Sequence, residues 1–170
     1  MTRGLPRIGL ISAALLFVVD QLVKWIVTGP LGIDYLGAVR EIVPIFDLRF
    51  VQNVGVSLGM LRAESEMGRW LLVGMTGAIA TGVLIWMWRE KNRADQVALG
   101  LVLGGALGNI VDRVRFGYVV DFADLHFGEW RPFLVFNVAD AAITIGVLIL
   151  LVRALLMRDK PGKPVENRNA

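Results

Sequence analysis

Four long apolar stretches, at residues 8–27, 70–88, 94–111 and 136–156, constrain this chain more than any other feature of it. Each approaches the ~20 residues with which a helix crosses a bilayer while satisfying its own backbone hydrogen bonds. One soluble core could not hide so much apolar surface: 55% of the residues are hydrophobic and only 19% charged, and mean hydropathy is +0.60. The expected solvent is lipid. The first stretch follows Arg3 and Arg7 as a secretory signal would, but it is too long and lacks a small-residue cleavage site, so it is predicted to remain as a span. The second carries no charge and has Trp70 and Trp88 at its ends, where an interfacial belt places them. The third has Gly100, Gly104 and Gly108 on one helical face, which predicts close approach of a neighbouring helix. The fourth opens with the polar pair Asn137 and Asp140.

Basic residues gather in short segments: Arg3 and Arg7 before the first span, Arg89, Lys91 and Arg93 between the second and third, and Arg153, Arg158, Lys160 and Lys163 after the fourth. The positive-inside rule puts these segments and both termini in the cytoplasm, and residues 28–69 and 113–135 on the other side. Arg40, Arg49, Arg62, Arg69, Arg113 and Arg115 fall in those outer segments, so the assignment rests on charge density and not on a clean split. A pI near 9.7 is read the same way, as flanks facing anionic lipid and not as a nucleic-acid surface. Residues 1–158 are expected to form one membrane domain, and 159–170, polar with Pro161 and Pro164, a disordered tail. From Glu41 to Met60, β-branched and aromatic residues recur near period two, with Pro44 early and Gly55 and Gly59 late, which predicts a small β-structure outside the bilayer. The chain has no cysteine, so disulfides, thiolate catalysis and zinc–sulfur sites are excluded.

An ionisable side chain near the centre of a spanning helix costs ~2.5–3.5 kcal/mol on insertion scales, so each one needs a reason. Asp20 and Lys24 are spaced i, i+4 and are predicted to form a structural ion pair that buttresses the site. Asn109, Asp112 and Arg113 close the third span in GNIVDR, where an interfacial anchor is one reading. Asp121 lies on the segment that leaves and re-enters the same face, and can fold back over the start of the fourth span. With Asn137 as N-cap, Asp140 falls at the third helical position, facing free backbone donors; a helix cap and nothing more is the plainer reading. Brought beside Asp140 in a partly dry site, Asp121 is pushed towards its protonated form, and the pair shares one proton. That is the arrangement by which paired aspartates hydrolyse peptides through water, without a covalent nucleophile. His126 beside Asp121 and Asp124 is a weak metal signal, lacking a recognised ligand spacing.

Five blocks in order carry a resemblance: DQLVK at Asp20 to Lys24, QNVGVS around Asn53, GNIVDR at Gly108 to Arg113, VVDF at Val119 to Phe122 and FNVAD at Phe136 to Asp140. With them the chain resembles the bacterial lipoprotein signal peptidases, or signal peptidase II, over nearly its whole length. The resemblance implies an all-α membrane protein of four transmembrane helices with an extracytoplasmic β-cradle and a periplasmic helix or loop. It implies a multi-pass aspartic endopeptidase of the bacterial inner membrane, with the active site facing the periplasm. Its implied substrates are diacylglyceryl-modified prolipoproteins, cut before the lipid-modified cysteine. Asp121 and Asp140 fall on the catalytic positions. Asn53, Gly55, Asn109, Arg113, Asn137 and Ala139 fall on positions that shape or contact the substrate groove, and Asp20 and Lys24 on a supporting block. No metal or organic cofactor is implied; the expected partners are prolipoprotein and membrane lipid, and the chain is expected to be a monomer. One departure is Leu58, where the family often has phenylalanine.

Two other classes compete. A small transporter or proton relay would use Asp20, Lys24, Asp112 and Asp140 as a charged path, and would need such groups at several depths. A membrane scaffold would assemble through the Gly100, Gly104, Gly108 face, which leaves Asp121 and Asp140 unexplained.

Overall fold

The structure, a computed structural model, describes residues 5–55 and 66–157. The Leu58 departure, Gly59 and the predicted tail at 159–170 lie outside them. Among the described residues four helices are long and apolar enough to cross a membrane: α1 (Arg7–Thr28), α2 (Glu66–Arg89), α3 (Arg93–Phe116) and α4 (Val138–Met157). The same residues hold three strands, β1 (Val39–Val43) and β2 (Phe46–Asn53) after α1 and β3 (Val119–Leu125) between α3 and α4.

α3 is the middle of the bundle, packed on α1, α4 and α2. It is the least apolar of the spans, at mean hydropathy 1.5, yet 61% of that window is buried, against 22% or less in the others. Its neighbours are protein, so glycine and polar residues replace the lipid-facing leucines of the other helices. The expected glycine face is the α1 contact: a Cβ on Gly100 would lie 2.5 Å from the Gly9 carbonyl oxygen, and one on Gly104 2.5 Å from that of Ala13. Gly105 meets α4 in the same way, at the Ala139 carbonyl.

α3 runs past the expected boundary at 111, through Asp112 and Arg113, to Phe116. Hydropathy falls at Asn109 because Asn109 and Asp112 bond inward, not because the helix stops. It ends at Gly117, whose left-handed backbone (φ 86°) returns its N–H to the Arg113 carbonyl, a conformation that strains any residue with a Cβ. Between α3 and α4 the structure has a strand and then a loop, so of the helix or loop expected there the loop is present, and β3 precedes it.

β2 is the middle strand of an antiparallel sheet ordered β1-β2-β3. Its alternation sends Leu48 and Phe50 inward, where they join Val27, Ile33 and Ala38 and the β3 residues Val120, Phe122 and Ala123 in one core cluster. This cluster seats the sheet on the end of the bundle. The free edge of β3 is covered when the chain returns before α4: Ala123 and Phe136 exchange backbone hydrogen bonds at 2.8 and 3.1 Å. That return lays the start of α4 against β3.

Candidate active site

The return brings Asp121 and Asp140 to one place. In the β2–β3 register Asp121 is opposite Val51, and Asn53, two residues beyond Val51, shares the face of Asp121. The Asn53 amide donates to Asp121 Oδ2 at 3.0 Å, and its own Oδ1 accepts the Gly55 N–H at 3.0 Å. Gly55 thereby fixes which way the amide points, and its φ of 112° suits glycine.

Asn137 caps α4 as expected: its Oδ1 accepts the Asp140 N–H at 2.9 Å, and its own N–H donates to Asp140 Oδ2 at 3.3 Å. The capping box is closed, yet Asp140 does more than cap. Its Oδ1 accepts from Asn109 Nδ2 at 2.9 Å. Asn137 Nδ2 donates to Asp121 Oδ1 at 2.6 Å, so a single buried asparagine holds both carboxylates. Burial first, then the charge of Asp140, pushes Asp121 up to about 7, against the opposing pull of the Asn53 and Asn137 amides and the Lys24 ammonium. Arg113 also lies within reach of the charges of Asp140 and Asp121, and its Nε is buried without a hydrogen-bond partner.

Behind these residues lies a buried ion cluster. Lys24 Nζ is 2.9 Å from Asp20 Oδ2 and 2.7 Å from Asp112 Oδ2. Asp20 Oδ1 takes the N–H of Ala139 at 2.9 Å, and Asp112 Oδ2 that of Val120 at 3.1 Å. The predicted Asp20–Lys24 pair is present, and each carboxylate also fixes the backbone next to one of the paired aspartates. Asp112 is the residue sequence reasoning undervalued: it is 1% exposed and no interfacial anchor. Four-residue spacing from Gly108, whose missing Cβ leaves room for Asp20 Oδ2, was the available signal. These charges gather at the sheet end of the bundle and do not form a path across it.

Ala139 is fully buried at the α3–α4 contact, with no open surface of its own, because Gly105 and Gly108 bring α3 against it. His126 and Asp124 stand apart from Asp121: His126 Nε2 is 3.3 Å from Asp47, while Asp124 is held by Arg49 at 2.9 Å and Arg131 at 3.2 Å. Among the described residues no three His, Asp or Glu side chains converge as a metal site.

Fold and site define a polytopic membrane protein whose polar centre, with two facing carboxylates, is built where the helix bundle meets a small sheet. The family model described as signal peptidase (SPase) II matches residues 12–156. The chain is 58% identical to the lipoprotein signal peptidase of Rhizorhabdus wittichii, covering 99% of this chain and 97% of that one. It is 56% identical to the lipoprotein signal peptidase of Sphingopyxis alaskensis, over 92% and 90% of the two chains. A solved bacterial membrane enzyme superposes with a TM-score of 0.77 at 28% identity, covering 93% of this chain and 94% of its own. The chain belongs to the signal peptidase II family, and it is a protease.

Proposed function

We propose that this protease removes signal peptides from diacylglyceryl-modified prolipoproteins, cutting before the lipid-modified cysteine, with Asp121 and Asp140 as its catalytic pair. The observation that carries the assignment is Asn137, which binds Asp121 by its side chain and Asp140 by backbone and side chain together. Asp121, protonated below about pH 7, donates a hydrogen bond to the scissile carbonyl oxygen. Asp140 takes a proton from the attacking water. Collapse of the tetrahedral intermediate passes that proton to the leaving amine. Asn53, Asn109 and Gly55 hold the carboxylates in place, and Arg113, beside the charges of both, is the residue that contacts the substrate backbone. The reaction draws on no cofactor.

An apolar cavity of about 340 Å³, lined by Leu125, Phe133, Leu134, Phe136, Ala141 and Ile145, opens beside Asp140. It suits an apolar substrate group presented from the lipid, whose anchoring raises the local concentration of the scissile bond. We place residues 1–158 in one peptidase domain of the inner membrane, monomeric, with both termini cytoplasmic and the site at the periplasmic boundary. In the test, purified protein is offered a diacylglyceryl-modified prolipoprotein, and wild type is compared with Asp121→Asn and Asp140→Asn. Each variant should stay folded and lose cleavage by at least ~10³-fold, the scale on which removal of an acid–base group acts. Cleavage at the wild-type rate by either folded variant would remove the pair from the mechanism.

A further inference from the structure

A second cavity, of about 290 Å³, opens between the sheet-side ends of α1 and α3 and touches neither Asp121 nor Asp140. Its lining includes two exposed charges of opposite sign, Asp34 and Arg115. They are not paired with each other: among the described residues Asp34 makes no ion pair, and the guanidinium of Arg115 lies over the Phe116 ring at 5.0 Å. One wall is a run of aromatic rings in mutual contact, Phe116 stacked on Tyr118 at 6.0 Å and Tyr118 edge-on to Phe50 at 6.4 Å. Such a wall is rigid, and it favours a cation over its faces. The inner end is formed by Lys24 and Asp112. They form an ion pair at 2.7 Å, and Lys24 also holds the fully buried Asp20.

A ligand that suits these walls carries an anion and a cation a few bonds apart. The anion meets Arg115, which suits phosphate oxygens, and the cation meets Asp34 and the aromatic wall. The surroundings favour a lipid as its source. Trp25, 62% exposed, stands at the opening as an interfacial tryptophan does. Below Gln21, which also lines the cavity, Val18 and Leu22 present exposed apolar side chains along α1. We propose that this cavity binds the phosphoethanolamine headgroup of a zwitterionic membrane phospholipid, with its phosphodiester on Arg115, its ammonium towards Asp34, and its acyl chains along Val18 and Leu22.

The test uses delipidated full-length protein in detergent and native mass spectrometry. The added probes are short-chain phosphatidylethanolamine, phosphatidylcholine and phosphatidylglycerol, and O-phosphoethanolamine free in solution. Phosphatidylethanolamine should bind about tenfold more tightly than phosphatidylglycerol, which lacks the cation, and more tightly than phosphatidylcholine, whose quaternary nitrogen cannot donate to Asp34. Asp34→Asn and Arg115→Gln should each erase that preference, and Arg115→Lys should keep part of it. Both positions are exposed and outside the dyad, so the variants should retain wild-type cleavage. Equal binding of phosphatidylglycerol would overturn the zwitterion assignment. Binding unchanged in both variants would put the lipid elsewhere on the protein. Free O-phosphoethanolamine binding as tightly as the lipid would overturn the membrane as the source.

Discussion

At Asp121 opposing influences compete for one proton. Burial and the charge of Asp140 raise its pKa from 3.8 to about 7, while the amides of Asn53 and Asn137 and the Lys24 ammonium hold it down. In the proposed mechanism the protonated group is the active one, so activity is lost as pH rises through this value. The alkaline limb of kcat/KM should therefore fall near pH 7 in wild type. Asn53 donates to the carboxylate at 3.0 Å, and a donor to the ionised form lowers a pKa. Its removal in Asn53→Ala must raise the pKa, and the alkaline limb should move to higher pH. The optimum rate should drop by roughly tenfold as one hydrogen bond of positioning is lost. A pH profile of the folded variant that keeps the wild-type limb would show that Asn53 does not set the titration of the pair.

Helix packing rests on absent side chains. A Cβ at Gly104 would meet backbone of α1 at 2.5 Å, and neither helix can yield there without separating. Gly104→Ala should lower stability by ~1–3 kcal/mol, the cost of an overpacked contact. Gly77, on α2, has nothing within 4 Å of its Cβ position, and Gly77→Ala should be neutral or stabilise by up to ~1 kcal/mol through helix propensity. Thermal unfolding in detergent distinguishes the two, and equal effects would count against the α1–α3 contact as a determinant of the bundle. The spans, the Asn137 cap and the Asp20–Lys24 pair were legible because each is a local signal, read within one helix. What escaped was non-local. The end of α3 was set short because Asp112 was read as polar and therefore outside, when its partner Lys24 lies on another helix. The β structure around Asn53 was foreseen, but not that the Asp121 segment adds the third strand, because that pairing joins residues 68 positions apart. The hold of Arg49 on Asp124 escaped for the same reason, the two being 75 positions apart.

Across the whole molecule, the proposed topology has four spans return the chain to the side on which it began, and the density of basic residues assigns that side to the cytoplasm. The sequence has no cysteine, so one introduced thiol reports one position. Lys91 and Glu129 are both exposed, the first between α2 and α3 and the second in the loop after β3. In spheroplasts an impermeant maleimide should label Glu129→Cys at once, and Lys91→Cys only after the membrane is opened. The reverse pattern would invert the proposed topology. Of the paired carboxylates, Asp121 belongs to a strand and Asp140 to the first turn of a helix that the proposed topology sends across the membrane. Asn137 binds both, and one hydrophobic cluster seats the sheet on the bundle, so sheet and bundle should ride together when lipids of different chain length alter helix tilt through hydrophobic mismatch. In proteoliposomes of graded acyl length, turnover should then change little with thickness; a sharp peak at one thickness would mean that the strand and the helix move apart.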